Sequence, residues 1–329
     1  MTRKDNALAL LHHESVEHIV DYMADFFHTG GNKETFENGP EGGGCDDFGV
    51  LWECSESALG QGVPAAGGEI LDDIEDWEEL VHFPDPSKVD WEGMAREQLA
   101  GYDPQTQVQE YGMWNGPFLR LMHLMGFQEG LCAMACEPEA AHAFMEAYTQ
   151  YRVSTIPYVV KYFHPDVICL YDDFATERSL FISPETYREM IKPYHKIFFD
   201  AVKSYGVIPN MHVCGKCADV VPDFIDEGIG AWEICQPEND LVSLQKKVGK
   251  NVSFMGGYDM IGRASYQDVT EEELRASVRA TIDAYAPGRN YGFMGMIMYS
   301  DPYKMINTMQ ILSDECVKYG TDYYKRHGM

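Results

Sequence analysis

Gly206-Val207-Ile208-Pro209-Asn210-Met211-His212-Val213-Cys214-Gly215 is the segment on which the fold turns. Its apolar run has the length of a strand, and alternation sends residues 212 and 214 to one face. A helix start follows. An imidazole and a thiol therefore stand together at the C-terminal end of a strand, where a parallel α/β barrel keeps its chemistry. Nitrogen and sulfur donors in this arrangement suit a borderline metal such as zinc, provided that at least one more ligand comes from elsewhere. The same pair also fits a buried His and a buried Cys that only pack.

The strand-then-helix rhythm extends to both sides. Val167-Ile168-Cys169-Leu170-Tyr171 reads as a buried strand ending in Asp172-Asp173. Further strands are expected over 208–213, 231–235, 253–256 and 292–298. Ser183-Pro184-Glu185 opens a helix with an N-cap serine and a first-turn proline, predicted to run to Gly206 with a kink at Pro193. Thr270 and Glu273 form the pattern of a capping box. A helix over 131–148 carries Cys132 and Cys136, read as core packing, and 153–163 continues as helix up to His164-Pro165.

Repeated units of this kind predict a parallel sheet. The reading is a (β/α)8 TIM barrel, with residues 1–329 forming a single domain. Residues 1–107 supply a loop-rich N-terminal extension and the first barrel elements, and 108–329 the regular β/α units. A doubly wound sheet is the alternative. No Gly-x-Gly-x-x-Gly follows a strand and no Walker-type loop occurs, so nothing points to a nucleotide. Within the N-terminal third, Cys45-Asp46-Asp47-Phe48-Gly49-Val50-Leu51-Trp52-Glu53 reads as a short strand carrying acids and an aromatic. The acids between Asp72 and Glu79 read as a solvated face.

Bulk properties agree with a large folded core. The chain has 329 residues, a normal size for such a barrel, and a hydrophobic content of 45% that excludes a disordered chain. The formal charge of −28 argues against nucleic acid, whose phosphates would be repelled. Apolar runs are too short to span a bilayer, and no signal peptide is visible, so a cytoplasmic protein is expected. The nine cysteines, irregularly spaced, suggest thiols with a metal or catalytic role for a few of them rather than a disulfide framework. Cys214 and Cys217 form a Cys-x-x-Cys that fits a redox pair or half a zinc site.

Several segments together resemble the uroporphyrinogen decarboxylase superfamily, and within it the corrinoid-linked methyltransferases. They are Tyr171-Asp172-Asp173, the stretch from Phe181-Ile182-Ser183-Pro184 to Tyr187-Arg188, and Ile191-Lys192-Pro193-Tyr194. His212-Val213-Cys214-Gly215 and Met255-Gly256-Gly257 add to these. Asp46-Asp47-Phe48-Gly49 and Phe83-Pro84-Asp85 look like the N-terminal region of the methyltransferase branch. The likeness runs from about residue 45 to the C-terminus. The decarboxylase itself, which holds an anionic macrocycle with an N-terminal arginine-rich strand, is a poor match, because no such arginine cluster is present.

What the methyltransferase resemblance implies is a zinc held by a His-x-Cys pair and a later Cys near the last strand. His212 and Cys214 match the pair. The later Cys is missing, since the last strand reads Gly292-Phe293-Met294-Gly295-Met296-Ile297-Met298-Tyr299, and thioether sulfur is a poor zinc ligand. Glu233 and Cys235, expected to alternate to one face, are the candidates for completing the site. The resemblance also implies a corrinoid carried by a partner protein, not by this chain.

The expected activity is therefore transfer of a methyl group from a small O-methyl or N-methyl substrate to corrinoid cobalt, a demethylation assisted by zinc or an acid. Methylation of a thiol from the corrinoid, or metal-free decarboxylation of a non-porphyrin acid, are the alternatives. Asp172, Glu233 and Tyr299 are candidate acids or bases. Two adjacent carboxylates on a strand face opposite ways, so one of Asp172 and Asp173 is expected in the site. Asp173, Glu177, Trp114, Asn115, Trp232 and Met296 are candidate substrate contacts. Partners are thus a corrinoid protein and a small methylated substrate, with neither nucleic acid nor membrane, and assembly into a homo-oligomer is left open.

Overall fold

The computed structural model describes residues 1–30, 39–40, 42–54 and 62–329. Eight parallel strands form one sheet: β1 (Val20–Asp21), β2 (Phe26–Gly30), β3 (Val108–Met113), β4 (Val167–Tyr171), β5 (Ile208–His212), β6 (Ala231–Cys235), β7 (Ser253–Gly257) and β8 (Tyr291–Met294). Their order is β1-β8-β7-β6-β5-β4-β3-β2. The two edge strands, β1 and β2, are consecutive in the chain and joined by one helical turn, Tyr22–Asp25. The sheet thus curls into a nearly closed (β/α)8 barrel with helices between its strands. Every residue of β3, β6, β7 and β8 is buried, as expected of strands covered on both faces.

The main helices are α1 (Arg3–Leu11), α2 (Pro117–Met125), α3 (Pro138–Phe163), α4 (Pro184–Met190), α5 (Lys192–Ser204), α6 (Leu241–Val248), α7 (Glu271–Tyr285) and α8 (Pro302–Gly320). Helix α1 closes the bottom of the barrel. The Leu10 carbonyl accepts the Ser253 hydroxyl at the start of β7 (2.7 Å), and His13 Nε2 reaches the Gly230 carbonyl just before β6 (2.9 Å). The opposite, C-terminal end is therefore the open mouth. Among the described residues no helix is long and apolar enough to cross a membrane.

Local chemistry sets the helix boundaries. Ser183 caps α4, and Thr270 with Glu273 makes the capping box of α7. The helix expected from Ser183 to Gly206 divides at Ile191, because Pro193 belongs to the first turn of α5 and cannot donate there. The helix expected over 131–148 likewise divides into Phe127–Cys136 and α3, which Pro138 opens. That break leaves Cys132 and Cys136 exposed rather than in the core.

Two strands differ from the sequence pattern. The last strand stops at Met294, so the 294/296/298 alternation does not hold: Met294 is buried, Met296 half-buried and Met298 exposed. Residues 45–53 form a turn rather than one strand. Gly44–Cys45, Leu51–Cys54 and Gly62–Pro64 make a small antiparallel sheet. The Asp46 carboxylate shapes the turn by accepting the N–H groups of Phe48 and Val50 (3.0 and 2.9 Å). It also accepts the Trp52 indole N–H and a 2.7 Å ion pair from buried Arg120, which ties this sheet to α2.

Candidate active site at the barrel mouth

His212 ends β5, and its ring stacks on Tyr171 of β4 (centroids 4.1 Å apart), its register partner. Tyr171 in turn stacks on Trp114 at 4.7 Å. This three-ring pile fixes the imidazole plane. His212 Nε2 lies 3.5 Å from Cys214 Sγ, so alternation does bring the two residues together.

The loop that carries Cys214 is held on both sides. The Cys214 N–H donates to Asp173 Oδ1 (2.6 Å) and the Gly215 N–H to Gln236 Oε1 (2.5 Å). Asn239 bonds the Gly215 carbonyl and the Cys217 N–H. Gly215 has φ +90°, and a Cβ there would lie 2.5 Å from the Thr176 carbonyl oxygen, so only glycine fits this turn. Asp173, His212 and Cys214 each offer one ligand atom, and these atoms all lie within 4.8 Å of one another. A nitrogen, a sulfur and an oxygen in that arrangement fit zinc with a position left for substrate. A cavity of about 240 Å³ opens beside them, lined by Cys214, Gly215, Glu177, Glu238, Tyr258 and Met260 among others.

Behind His212 the barrel interior is polar. Glu233 Oε1 lies 3.7 Å from His212 Nδ1, a charge contact longer than a hydrogen bond. The same oxygen accepts the Cys169 thiol (2.9 Å). The Tyr22 hydroxyl sits between Glu110 Oε1 (2.6 Å) and Glu233 Oε1 (3.2 Å) and has one proton for the two. Asn210 Nδ2 donates to Glu110 Oε2 (3.2 Å), and His28 Nδ1 approaches Glu110 Oε1 at 3.3 Å.

This crowding moves the ionisation of Glu233, Tyr22, Cys169 and His212. Burial, then the Glu110 charge, raises the Glu233 carboxyl, against the pull of His212 and Cys169. Burial and the two glutamates push the Tyr22 hydroxyl and the Cys169 thiol well above their ordinary values. For His212, burial opposes the charge. Its contacts with Cys214 and Glu233 and the Asp173 carboxylate outweigh that, and hold the imidazole well above the usual range.

Several expected residues lie elsewhere. Cys235 does not join the site. Met255 pairs with Glu233 and Gly256 with Cys235, so Ile234 is an extra residue and the alternation from 233 to 235 is lost. Asp172 turns outward. It accepts the Phe118 and Leu119 N–H groups at the start of α2 (3.2 and 2.8 Å) and lies 2.8 Å from His195 Nε2, so it organises helices rather than facing the mouth. Trp232 packs edge-on against Phe224 and Phe254, and its indole N–H goes to the Val213 carbonyl, which places it between the sheet and the helix Asp223–Glu227. The Tyr299 hydroxyl is engaged with the Ala264 carbonyl at 2.6 Å.

Asp173 and Glu177 border the His212–Cys214 pair or its cavity, and Trp114 reaches the pair through Tyr171. Buried Asn115, at φ 58°, gives its carbonyl to the Tyr148 hydroxyl (2.6 Å), and Met296 packs against the core from the loop after β8. Sequence reasoning missed Tyr22, His28, Glu110, Cys169 and Asn210. For two of them a signal existed, since Asn210 and Cys169 sit two residues before His212 and Tyr171 and so share their faces.

Comparison with known proteins places this architecture. The family model described as uroporphyrinogen decarboxylase (URO-D) matches residues 58–295. The chain belongs to the uroporphyrinogen decarboxylase family. A methylated-thiol–coenzyme M methyltransferase of Methanosarcina mazei is 27% identical over 148 residues, which are 44% of this chain and only 37% of that protein. A solved methyltransferase structure from Methanosarcina mazei superposes with a TM-score of 0.66 at 13% identity, covering 96% of this chain and 99% of that one. This last likeness concerns the fold, and it agrees with the barrel that the strand order describes.

Proposed function

We propose that this member of the uroporphyrinogen decarboxylase family is a methyltransferase that moves a methyl group between a small methylated substrate and the cobalt of a corrinoid carried by a partner protein. The observation that carries the reading is the trio Asp173, His212 and Cys214, converging at the barrel mouth beside a cavity. The similarity to a methylated-thiol methyltransferase supports sulfur as the atom that gives or receives the methyl group. The O-methyl and N-methyl donors suggested by the sequence are the competing substrates.

His212 Nε2, Cys214 Sγ and an Asp173 oxygen would hold zinc, and Glu233 lies behind Nδ1 of the imidazole as a carboxylate commonly does behind a zinc-bound histidine. When bound, zinc supplies a Lewis acid for the substrate heteroatom and keeps a thiol deprotonated. The chain's own residues supply position. Tyr171 and Trp114 hold the imidazole plane, Asp173 and Gln236 fix the Cys214 loop, and the Glu233 carboxylate lies 3.7 Å behind Nδ1. The Glu177 and Glu238 carboxylates line the cavity and disfavour an anionic acid there, which weighs against decarboxylation.

The test combines the purified protein with a reduced corrinoid protein and three sets of donors: methyl thioethers, aryl methyl ethers and methylamines. The expected result is a change in the corrinoid spectrum with thioethers, lost in His212→Ala and Cys214→Ala. Response to ethers or amines alone would move the substrate class. Silence with all three sets in both directions, or carbon dioxide release without cobalt, would refute the reading.

A further inference from the structure

We propose that the barrel interior beneath His212 is a second metal site, in which Glu110, Cys169 and Glu233 bind a divalent borderline ion of the zinc or cobalt class. Their ligand atoms lie within 4.8 Å of one another, on three different strands, β3, β4 and β6, and all three side chains are buried. The site shares no ligand with the Asp173–His212–Cys214 trio at the mouth.

Two carboxylates and a thiol do not collect in a dry barrel without compensation, because each buried charge forfeits its hydration. The hydrogen-bond donors around them do not suffice. Tyr22 has one proton for two carboxylates, Asn210 serves only Glu110, and His28 approaches only Glu110. Glu233 Oε2 has no hydrogen-bond partner among the described residues, although Glu233 is fully buried. His212 Nδ1, which faces this carboxylate, has none either. An acceptor left open in this way is what a cation would satisfy.

The donor chemistry selects the ion. Two oxygens and one sulfur suit zinc or cobalt(II), with the Tyr22 oxygen or a water completing four-coordination, whereas magnesium and calcium prefer oxygen alone. Binding is a proton-for-metal exchange without electron transfer. The S–H bond of Cys169 breaks, its proton goes to solvent, and the sulfur lone pair forms the bond to the ion. Occupation fixes Glu233 behind His212. The inner ion thus sets the electrostatic background of the outer site without contacting substrate.

The test uses the full-length Cys214→Ser protein, stripped with chelator and titrated with cobalt(II), so that failure of the outer site leaves it unaffected. The expected result is one cobalt per chain with a thiolate-to-cobalt charge-transfer band in the near ultraviolet. Adding Cys169→Ser should abolish that band. Glu110→Gln, which preserves side-chain size, should weaken cobalt binding by about tenfold or more, and it serves as the probe if the cysteine variant does not fold. Absence of the band in Cys214→Ser overturns the proposal. So does a band that survives Cys169→Ser, or a Glu110→Gln protein that binds cobalt as the parent does.

Discussion

Asp172 and Asp173 are adjacent in the chain but serve opposite faces of the barrel wall. Asp172 is fully buried against the start of α2 and His195, whereas Asp173 reaches the Cys214 backbone at the mouth. Alternation at a strand end produces this split. It separates a residue that holds the fold from one that shapes the site, and substitutions should tell the two apart.

Asp172→Asn keeps the side-chain shape but removes the charge that two N–H groups and His195 engage. Hydrogen bonds to a buried charged group are worth about 1.5–3 kcal/mol, so a loss of stability of about 2–3 kcal/mol is expected. Asp173→Asn should leave the melting temperature nearly unchanged and lower zinc affinity by about 10- to 100-fold, since it alters a proposed ligand and the anchor of the Cys214 loop. Thermal unfolding and zinc competition assays on both variants check this. An Asp172→Asn protein as stable as wild type would contradict the role given to that carboxylate.

The turn at Cys214 gives a second test. Gly215→Ala places a methyl group 2.5 Å from the Thr176 carbonyl in a left-handed backbone that disfavours alanine. Such a site costs about 1–3 kcal/mol of strain, and the loop has no free direction because Asp173, Gln236 and Asn239 hold it. The expected outcome is a folded barrel with a displaced Cys214. Far-ultraviolet circular dichroism should be retained, while thiol-dependent metal binding falls. Unchanged metal binding would mean that the turn is softer than its contacts indicate.

How far the site could be read from residues alone depended on strand regularity. The His212–Cys214 pair was legible because Tyr171, His212 and Glu233 stay in register and the β5 pattern is unbroken. The Glu233–Cys235 pair was misread for the opposite reason. The bulge opposite Met255 and Gly256 breaks the two-residue period, and nothing in Ala231-Trp232-Glu233-Ile234-Cys235 announces it. Glu110 was beyond reach for another reason. It lies beside Gln109 in Val108–Met113, and its meeting with Cys169 depends on the curvature that brings β3, β4 and β6 around one lumen. The barrel itself was legible from the repeat of apolar strand and capped helix. Its first two strands were hidden in the loop-rich third, where β1 has only two residues.

A buried ion pair joins the turn of the N-terminal sheet to α2. Asp46 and Arg120 are fully desolvated at 2.7 Å, and the guanidinium lies over the Phe48 ring at 4.1 Å. Removing one partner from a buried pair costs about 3–5 kcal/mol. Asp46→Ala should therefore loosen the strands Gly44–Cys45 and Leu51–Cys54 while the parallel barrel persists. Limited proteolysis should cut within this region faster than in wild type, with the strand signal of the barrel retained. Equal protease resistance in the variant would show that other contacts hold the sheet.

The acid dependence of stability should carry the signature of Asp25. This carboxyl is buried beside β1, and burial raises its pKa to about 6, against the lowering influence of Arg3 and of the Asp21 backbone N–H. Because the folded-state value lies above the ordinary aspartate value of 3.8, the protonated form is the one that the fold favours. The associated stability is fully present below pH 4 and is lost as pH rises through 6. At about 1.4 kcal/mol per unit, the effect across this window is about 2–3 kcal/mol. Asp25→Asn, which mimics the protonated state, should flatten the change in melting temperature between pH 4 and 6.5 relative to wild type. Other carboxylates still titrate in both proteins, so the difference between the two curves is the quantity to read. If that difference does not vary with pH, Arg3 holds Asp25 ionised throughout, and the ion pair outweighs the burial.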